Sequence, residues 1–346
     1  MHRPALAFAA CLLALVPVAA ASAQTSGPYK VLSDTKVGGD GGYDYVFADS
    51  ANRKLYIPRM GAAPISRVSI FNLDTLAPIS EIPETGGHGV AVDEKSGHAF
   101  SSSSPVVMWD AKTLAQIKTI PVTGRPDGIE NDPYNQRIYV FSHVAPNVTV
   151  IDAKDGSVLT TFDAGGAVEQ SVFDGKGHAY VDLEDKASIA VVDTKTMTLT
   201  GKIDLAGKAD GCTGLAMDTK HDLLFAACRD KKNMIVLSAA DGHILTDLPT
   251  GNGVDGATFN PETMEAFATA GDGTLTVVKE SSPTTFAVEQ TVTTPVRART
   301  ITLDKKTGHI LTITAEFGPA PAAQPGQRPA RPPMVPGTFQ IVAVGK

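Results

Sequence analysis

Cysteine, tryptophan and charge are all scarce in this chain. Three cysteines and one tryptophan stand among 346 residues, aromatics make up 6 % and charged residues 19 %. So few cysteines exclude a disulfide-dense scaffold and a four-thiolate metal site. The formal charge is −7, and no run of lysines or arginines occurs. That leaves no electrostatic footprint for a phosphate backbone and argues against nucleic acid as a partner on charge alone. Past the first residues no apolar run is long enough to span a bilayer, so no transmembrane anchor is expected. Catalytic signatures are missing too. There is no G-x-S-x-G elbow, no H-E-x-x-H helix, and no nucleophile with a base near it in sequence.

The first residues carry a different signal. "MHRPALAFAACLLALVPVAAASAQ" opens with His2 and Arg3, continues as an apolar run from Ala5 to Ala21, and ends in Ala21-Ser22-Ala23. A basic start, an apolar stretch and a small-x-small close describe a secretory signal peptide, residues 1–23, with Gln24 as the mature start. Phe8 stands where a lipoprotein signal would want Leu, which argues against lipidation at Cys11. The expectation is export to the periplasm or beyond. Loss of Arg3 moves the formal charge from −7 to −8. Cys11 leaves with the signal, and Cys212 and Cys228 remain in an oxidising compartment.

What is plentiful is turn chemistry, with 32 glycines and 23 prolines, and it is periodic. "YDYVFADSANRKLYI", "HGVAVDEKSGHAFS", "DGIENDPYNQRIYV", "EQSVFDGKGHAYV", "TGLAMDTKHDLLFA", "DGATFNPETMEAFA" and "ARTITLDKKTGHILT" share an Asp or Asn that opens a central turn. It falls at Asp49, Asp93, Asp132, Asp174, Asp218, Asn260 and Asp304, with spacings of 44, 39, 42, 44, 42 and 44. Each copy continues with two more β-branched runs such as "VTVIDAKDG" and "VLTTFDAG", so each unit is a four-stranded antiparallel meander, strands a to d. A period near 42 with short strands predicts an all-β fold, a seven-bladed β-propeller, in one domain over residues 24–346. The last unit lacks a fourth strand, and "YKVLSDTKVGG" at Tyr29–Gly39 looks like a fourth strand without a unit. Joining the two closes the ring, and a closed ring has no edge that demands a second copy, so a monomer is expected.

The copies around "DPYNQRIYVFSHVAPNVTVIDAKDGSVLTTF" resemble the YVTN-type, YncE-like propeller repeats. The resemblance covers nearly the whole mature chain. It implies the fold and leaves the activity open; nucleic-acid binding, sometimes suggested for such proteins, is poorly served by the acidic charge. Trp109-Asp110 occurs once, and Ile151-Asp152 and Val192-Asp193 hold the same place elsewhere, so that dipeptide is no sign of WD40 repeats. One segment breaks the pattern. Residues 318–337, "GPAPAAQPGQRPARPPMVPG", interrupt the last unit with Pro, Ala, Arg328 and Arg331. They read as an extended loop, either a tolerated insertion or a lid or docking strip.

Topology sorts the polar residues. The d–a and b–c loops share one face and the a–b and c–d turns the other. The anchor acids, with His98, His178, His221 and His309, fall in a–b turns and read as turn chemistry. At the other face the d–a positions supply Asp44, His88, Asp127, Glu169, Asp255, Arg297 and Arg299, and the b–c positions Arg59, His143, Glu184, Arg229, Asp272 and Glu316. These form a ring of mixed sign at the channel mouth. It suits a small polar ligand, a peptide or protein of the same compartment, or no ligand beyond water. No cofactor is required; a divalent metal on His88 with Asp127, Glu169 or Asp255 is the chemical alternative. Cys212 begins strand a and Cys228 ends strand b of one unit, so a disulfide is expected, with free thiols or copper ligands as alternatives. Two functions compete: a binding or scaffold propeller, or an enzyme of lactonase or lyase type with His88 or His143 as base and Arg299 steadying an anion.

Overall fold

The computed structural model describes residues 27–205, 207–321 and 332–346. The expected signal peptide and its cleavage point lie outside the described residues, as do Arg328 and Arg331. In the described residues short β-branched runs cut by Gly, Asp and Pro leave no length for helices, and none of these residues is helical. Seven four-stranded antiparallel sheets form instead. Blade one covers residues 47–83, two 90–120, three 126–162, four 168–204, five 212–249 and six 254–293. Blade seven is built from both ends of the chain: Ile301–Asp304, His309–Thr314 and Gln340–Gly345, completed by Lys30–Lys36.

Burial follows strand position. Strand b is mostly buried, throughout in Leu223–Cys228, while strand d is mostly exposed, as in Gln116–Ile120, or alternates, as in Lys30–Lys36. The core is therefore not one mass but a set of layers between neighbouring blades. Between blades one and seven, Leu55, Ile57 and Phe71 meet Leu311, Ile313, Phe339 and Ile341. Near the axis the strands a approach so closely that side chains must go. A Cβ on Gly214 would lie 2.8 Å from the backbone of Gly256 in the next blade, which is why glycine stands there.

The seven anchors work alike. Each side-chain oxygen accepts a backbone N–H two or three residues on, at Asn52, Ser96, Tyr134, Lys176, Lys220, Glu262 and Lys306. This is the Asx-turn that lets a short polar residue open a tight a–b turn. In the Pro-rich insertion the two ends pair: Gly318 donates to the Pro333 carbonyl at 2.9 Å and Val335 to that of Glu316 at 2.8 Å.

Candidate functional site

Strand a starts irregularly in several blades, and the irregularity builds the site. The a–b ladders shift register between Pro126 and Ile129, between Val168 and Ser171, and between Val254 and Gly256. Asp127, Glu169 and Asp255 sit inside these three shifts. A bulge re-aims a side chain that regular pleating would commit to one face. The d–a loops add Asp44, His88 and Arg299, and the turns after strand b add His143, Glu184 and Arg229.

Two sectors result. In the first, Arg299 reaches Asp255 at 3.0 Å, Arg229 lies 3.9 Å from the same carboxylate, and Arg229 also pairs with Glu184. Charge there is balanced locally. In the second, His88 Nδ1 lies 2.7 Å from Asp44 and 3.3 Å from Asp127. His143 Nε2 lies 2.6 Å from Asp127 and 3.5 Å from Glu169. The Tyr45 hydroxyl donates to Glu169 at 3.4 Å. Three carboxylates thus face two imidazoles and a phenol, and among the described residues no guanidinium pairs with any of the three.

The electrostatics are set by this crowding. Burial first, then the charges of Asp127, Asp255 and Asp44, push the Glu169 carboxyl up to about 9, with Arg229 opposing. Burial likewise raises Asp255 to about 6, held back by Arg299. For His88 burial disfavours the charge, but the hydrogen bond to Asp44 and the charges of Asp127 and Asp44 outweigh it against Arg125, so its pKa is raised. Tyr45 is driven well above the usual phenol range by burial and then by Glu169. The histidine sector is short of positive charge.

Behind the mouth runs a channel of about 400 Å³ whose walls are the strands a. Gln170 bridges it from blade four, donating to the Ala257 carbonyl at 2.9 Å and accepting from Leu215 and Ala257 N–H groups at 3.1 and 3.0 Å. Glu130 lines the wall, its carboxyl raised to about 8 by burial and lowered in part by Lys305.

Not every residue assigned to the ring reaches it. Arg59 is 1 % exposed, with its guanidinium 3.5 Å above the Phe339 ring, and burial lowers its pKa to about 10. It ends a strand whose side chains point into the layer between blades, so it stacks there rather than at the mouth. Arg297 turns away to lie 4.2 Å over Phe317 at the root of the Pro-rich insertion. Asp272 accepts from the Asn252 N–H and the Thr274 hydroxyl, and Glu316 pairs with Lys36. Cys212 and Cys228 are bonded to each other across strands a and b of blade five. Tyr45 escapes a reading by sequence, since it looks like one more apolar position of a strand. Of the turn histidines, His98 bonds the Ala153 carbonyl at 2.8 Å and His178 its own anchor Asp174 at 2.8 Å.

No family model and no curated protein matches the chain. Solved structures do, as seven-bladed propellers of the WD40 class. One described as "Crystal structure of RRP9 WD40 repeats" superposes with a TM-score of 0.71 at 10 % identity, covering 94 % of this chain and 98 % of the other. "Structure of U3-55K" gives 0.69 at 10 % identity over 93 % and 98 %. A chain of "Crystal Structure of Mitotic Checkpoint Complex" gives 0.69 at 13 % over 90 % and 96 %. At such identities the likeness is one of fold.

Proposed function

We propose that the protein is an exported propeller of the YVTN type that acts by binding, and that the histidine sector of its mouth holds a small ligand through a cationic group. One observation carries this reading. Asp44, Asp127 and Glu169 converge on His88 and His143, and among the described residues no arginine pairs with them, so an ammonium or metal cation supplies the charge the sector lacks. The rigid ring supports it, since loops on a closed set of sheets hold their spacing without a ligand to order them. The test is a thermal-shift series with putrescine, Mn²⁺ and citrate. The two cations raise Tm in the wild type and fail to do so in Asp127→Asn/Glu169→Gln. Stabilisation by citrate alone, lost on Arg299→Ala, would move the site to the arginine sector and overturn the reading. Export is tested separately by sequencing the mature N-terminus, expected at Gln24.

A second reading has its own support. His88–Asp44 and His143–Asp127 are imidazoles oriented by carboxylates, the arrangement a general base uses. If the mouth is catalytic in the lactonase or lyase sense, turnover of lactone substrates falls at least about a hundredfold in His88→Ala or His143→Ala. An acidic chain with no basic groove offers nothing comparable for nucleic acid.

A further inference from the structure

The opposite face holds a second cluster that the mouth does not explain. In six blades a residue just after strand c, or in blade six near the end of a longer strand c, donates its N–H to the carbonyl just before strand b: Leu73 to Arg53, Ala111 to Gly97, Ala153 to Gln136, Thr194 to Gly177, Ala239 to Asp222 and Glu280 to Met264. The shared bond makes these positions equivalent. All are buried, and in five of them the side chain is Leu, Ala or Thr. Blade six alone puts a carboxylate there, at 3 % exposure.

Glu280 faces blade five, where it meets the anchor Asp218, itself 1 % exposed. His221 Nδ1 lies 2.6 Å from Asp218 Oδ2 and 2.8 Å from Glu280 Oε1. The three groups offer one nitrogen and two oxygens within 4.8 Å of one another. Asp218 Oδ1 is spent on the Lys220 N–H at 2.9 Å. Asp218 Oδ2 and Glu280 Oε2 are buried with no hydrogen bond to satisfy them. One imidazole proton cannot serve two carboxylates at once. Even a protonated His221 leaves the junction with a net negative charge, and Lys220 keeps its side chain in solvent. Two buried carboxylates with unspent oxygens and a partly buried imidazole are what a cation needs and what a bare blade junction does not.

We propose that Asp218, His221 and Glu280 form a divalent transition-metal site that clips blade five to blade six. The imidazole donor favours Zn²⁺ and its first-row neighbours over Mg²⁺ and Ca²⁺, which prefer oxygen alone. Three protein ligands leave a position for water, and the exposed side of His221 gives the ion a way in.

Isothermal titration of chelator-stripped, full-length protein with Zn²⁺ tests this, in an Asp127→Asn/Glu169→Gln background that silences the mouth. One Zn²⁺ binds per chain, Mg²⁺ does not compete at millimolar concentration, and Tm rises on loading. Glu280→Ala, which installs the residue found at the equivalent place in blades two, three and five, keeps the circular dichroism spectrum and weakens Zn²⁺ at least about tenfold. Glu280→Gln and His221→Ala do the same. No Zn²⁺ binding in the mouth-silenced protein, or binding unchanged by both Glu280→Ala and His221→Ala, overturns the proposal. Because the site is on the other face, its failure leaves the reading of the mouth untouched, and the reverse holds too.

Discussion

Glu169 shows what a single position contributes. Its carboxyl is raised to about 9 by burial and then by Asp127, Asp255 and Asp44. An acid whose folded pKa lies above its unfolded value of about 4.3 stabilises the fold fully below that value and loses this as pH rises through 9. Asp255, raised to about 6, adds to the same fall in its lower half. Glu169→Gln is therefore close to neutral at pH 5 and gains at least about 1 kcal/mol over the wild type at pH 9, as urea unfolding at the two pH values measures. An equal difference at both would mean that the carboxyl is not held neutral. By the same linkage, a cation that binds here expels protons, and its affinity climbs with pH. The members of the ring were legible in sequence because loop position follows from the repeat. Which of them pair was not. Arg59 and Arg299 occupy similar-looking places near loops, yet one stacks on Phe339 inside the wall and the other meets Asp255 at 3.0 Å. That choice is set by a neighbouring blade far off in the chain.

At the scale of the element, strands were readable by alternation and turns by the anchor acids, and the a-to-d order of every blade came with them. The bulges were not readable. A register shift adds one residue to one strand without changing its composition, and it reverses the face of every later residue in that strand. Asp127, Glu169 and Asp255 owe their direction to such shifts. Glu280 was hidden for a related reason: it follows Lys279 near the polar end of strand c, where a charged residue is ordinary, and only the packed fold shows it buried. In blade five the strands a and b are fixed covalently at the mouth end by Cys212–Cys228, 16 residues apart. Closing a loop of that size in the unfolded chain is worth about 3 kcal/mol. Cys212→Ala/Cys228→Ala should lose roughly that much in guanidinium unfolding. Intact mass should rise by about two daltons when the wild type is reduced, as two thiols replace one bond.

For the whole molecule the decisive contact is the one that joins the ends. In a ring of separate sheets each blade keeps two short edges, an inner strand a and an outer strand d, and the last blade matches the others only if its fourth strand is in place. Lys30–Lys36 completes it, pairing antiparallel with Gln340–Gly345. The join is anchored just before that strand. Tyr29 is 4 % exposed, packs edge-on to Phe267 at 5.3 Å, and donates its hydroxyl to Glu265 at 2.5 Å. Its N–H and carbonyl both bond the Gln290 side chain, at 2.9 and 2.7 Å. Burial and Glu265 keep the phenol protonated, so it remains a donor. On the far side Arg53 of blade one grips Asp304 of blade seven with two bonds of 2.7 and 2.8 Å. Tyr29→Ala should cost about 3–5 kcal/mol, the range for deleting a buried aromatic, and Tyr29→Phe about 1–2, the share of the hydroxyl and the stranded Glu265. Leu32→Ala, four-tenths exposed on the same strand, is the control and should stay within about 0.5. Removing residues 24–37 leaves Gln340–Gly345 as a bare apolar edge, and that variant should self-associate more than the wild type in light scattering. If Tyr29→Ala matched Leu32→Ala in guanidinium midpoint, the N-terminal strand would be an ornament on a ring held shut by Arg53 and the blade layers alone.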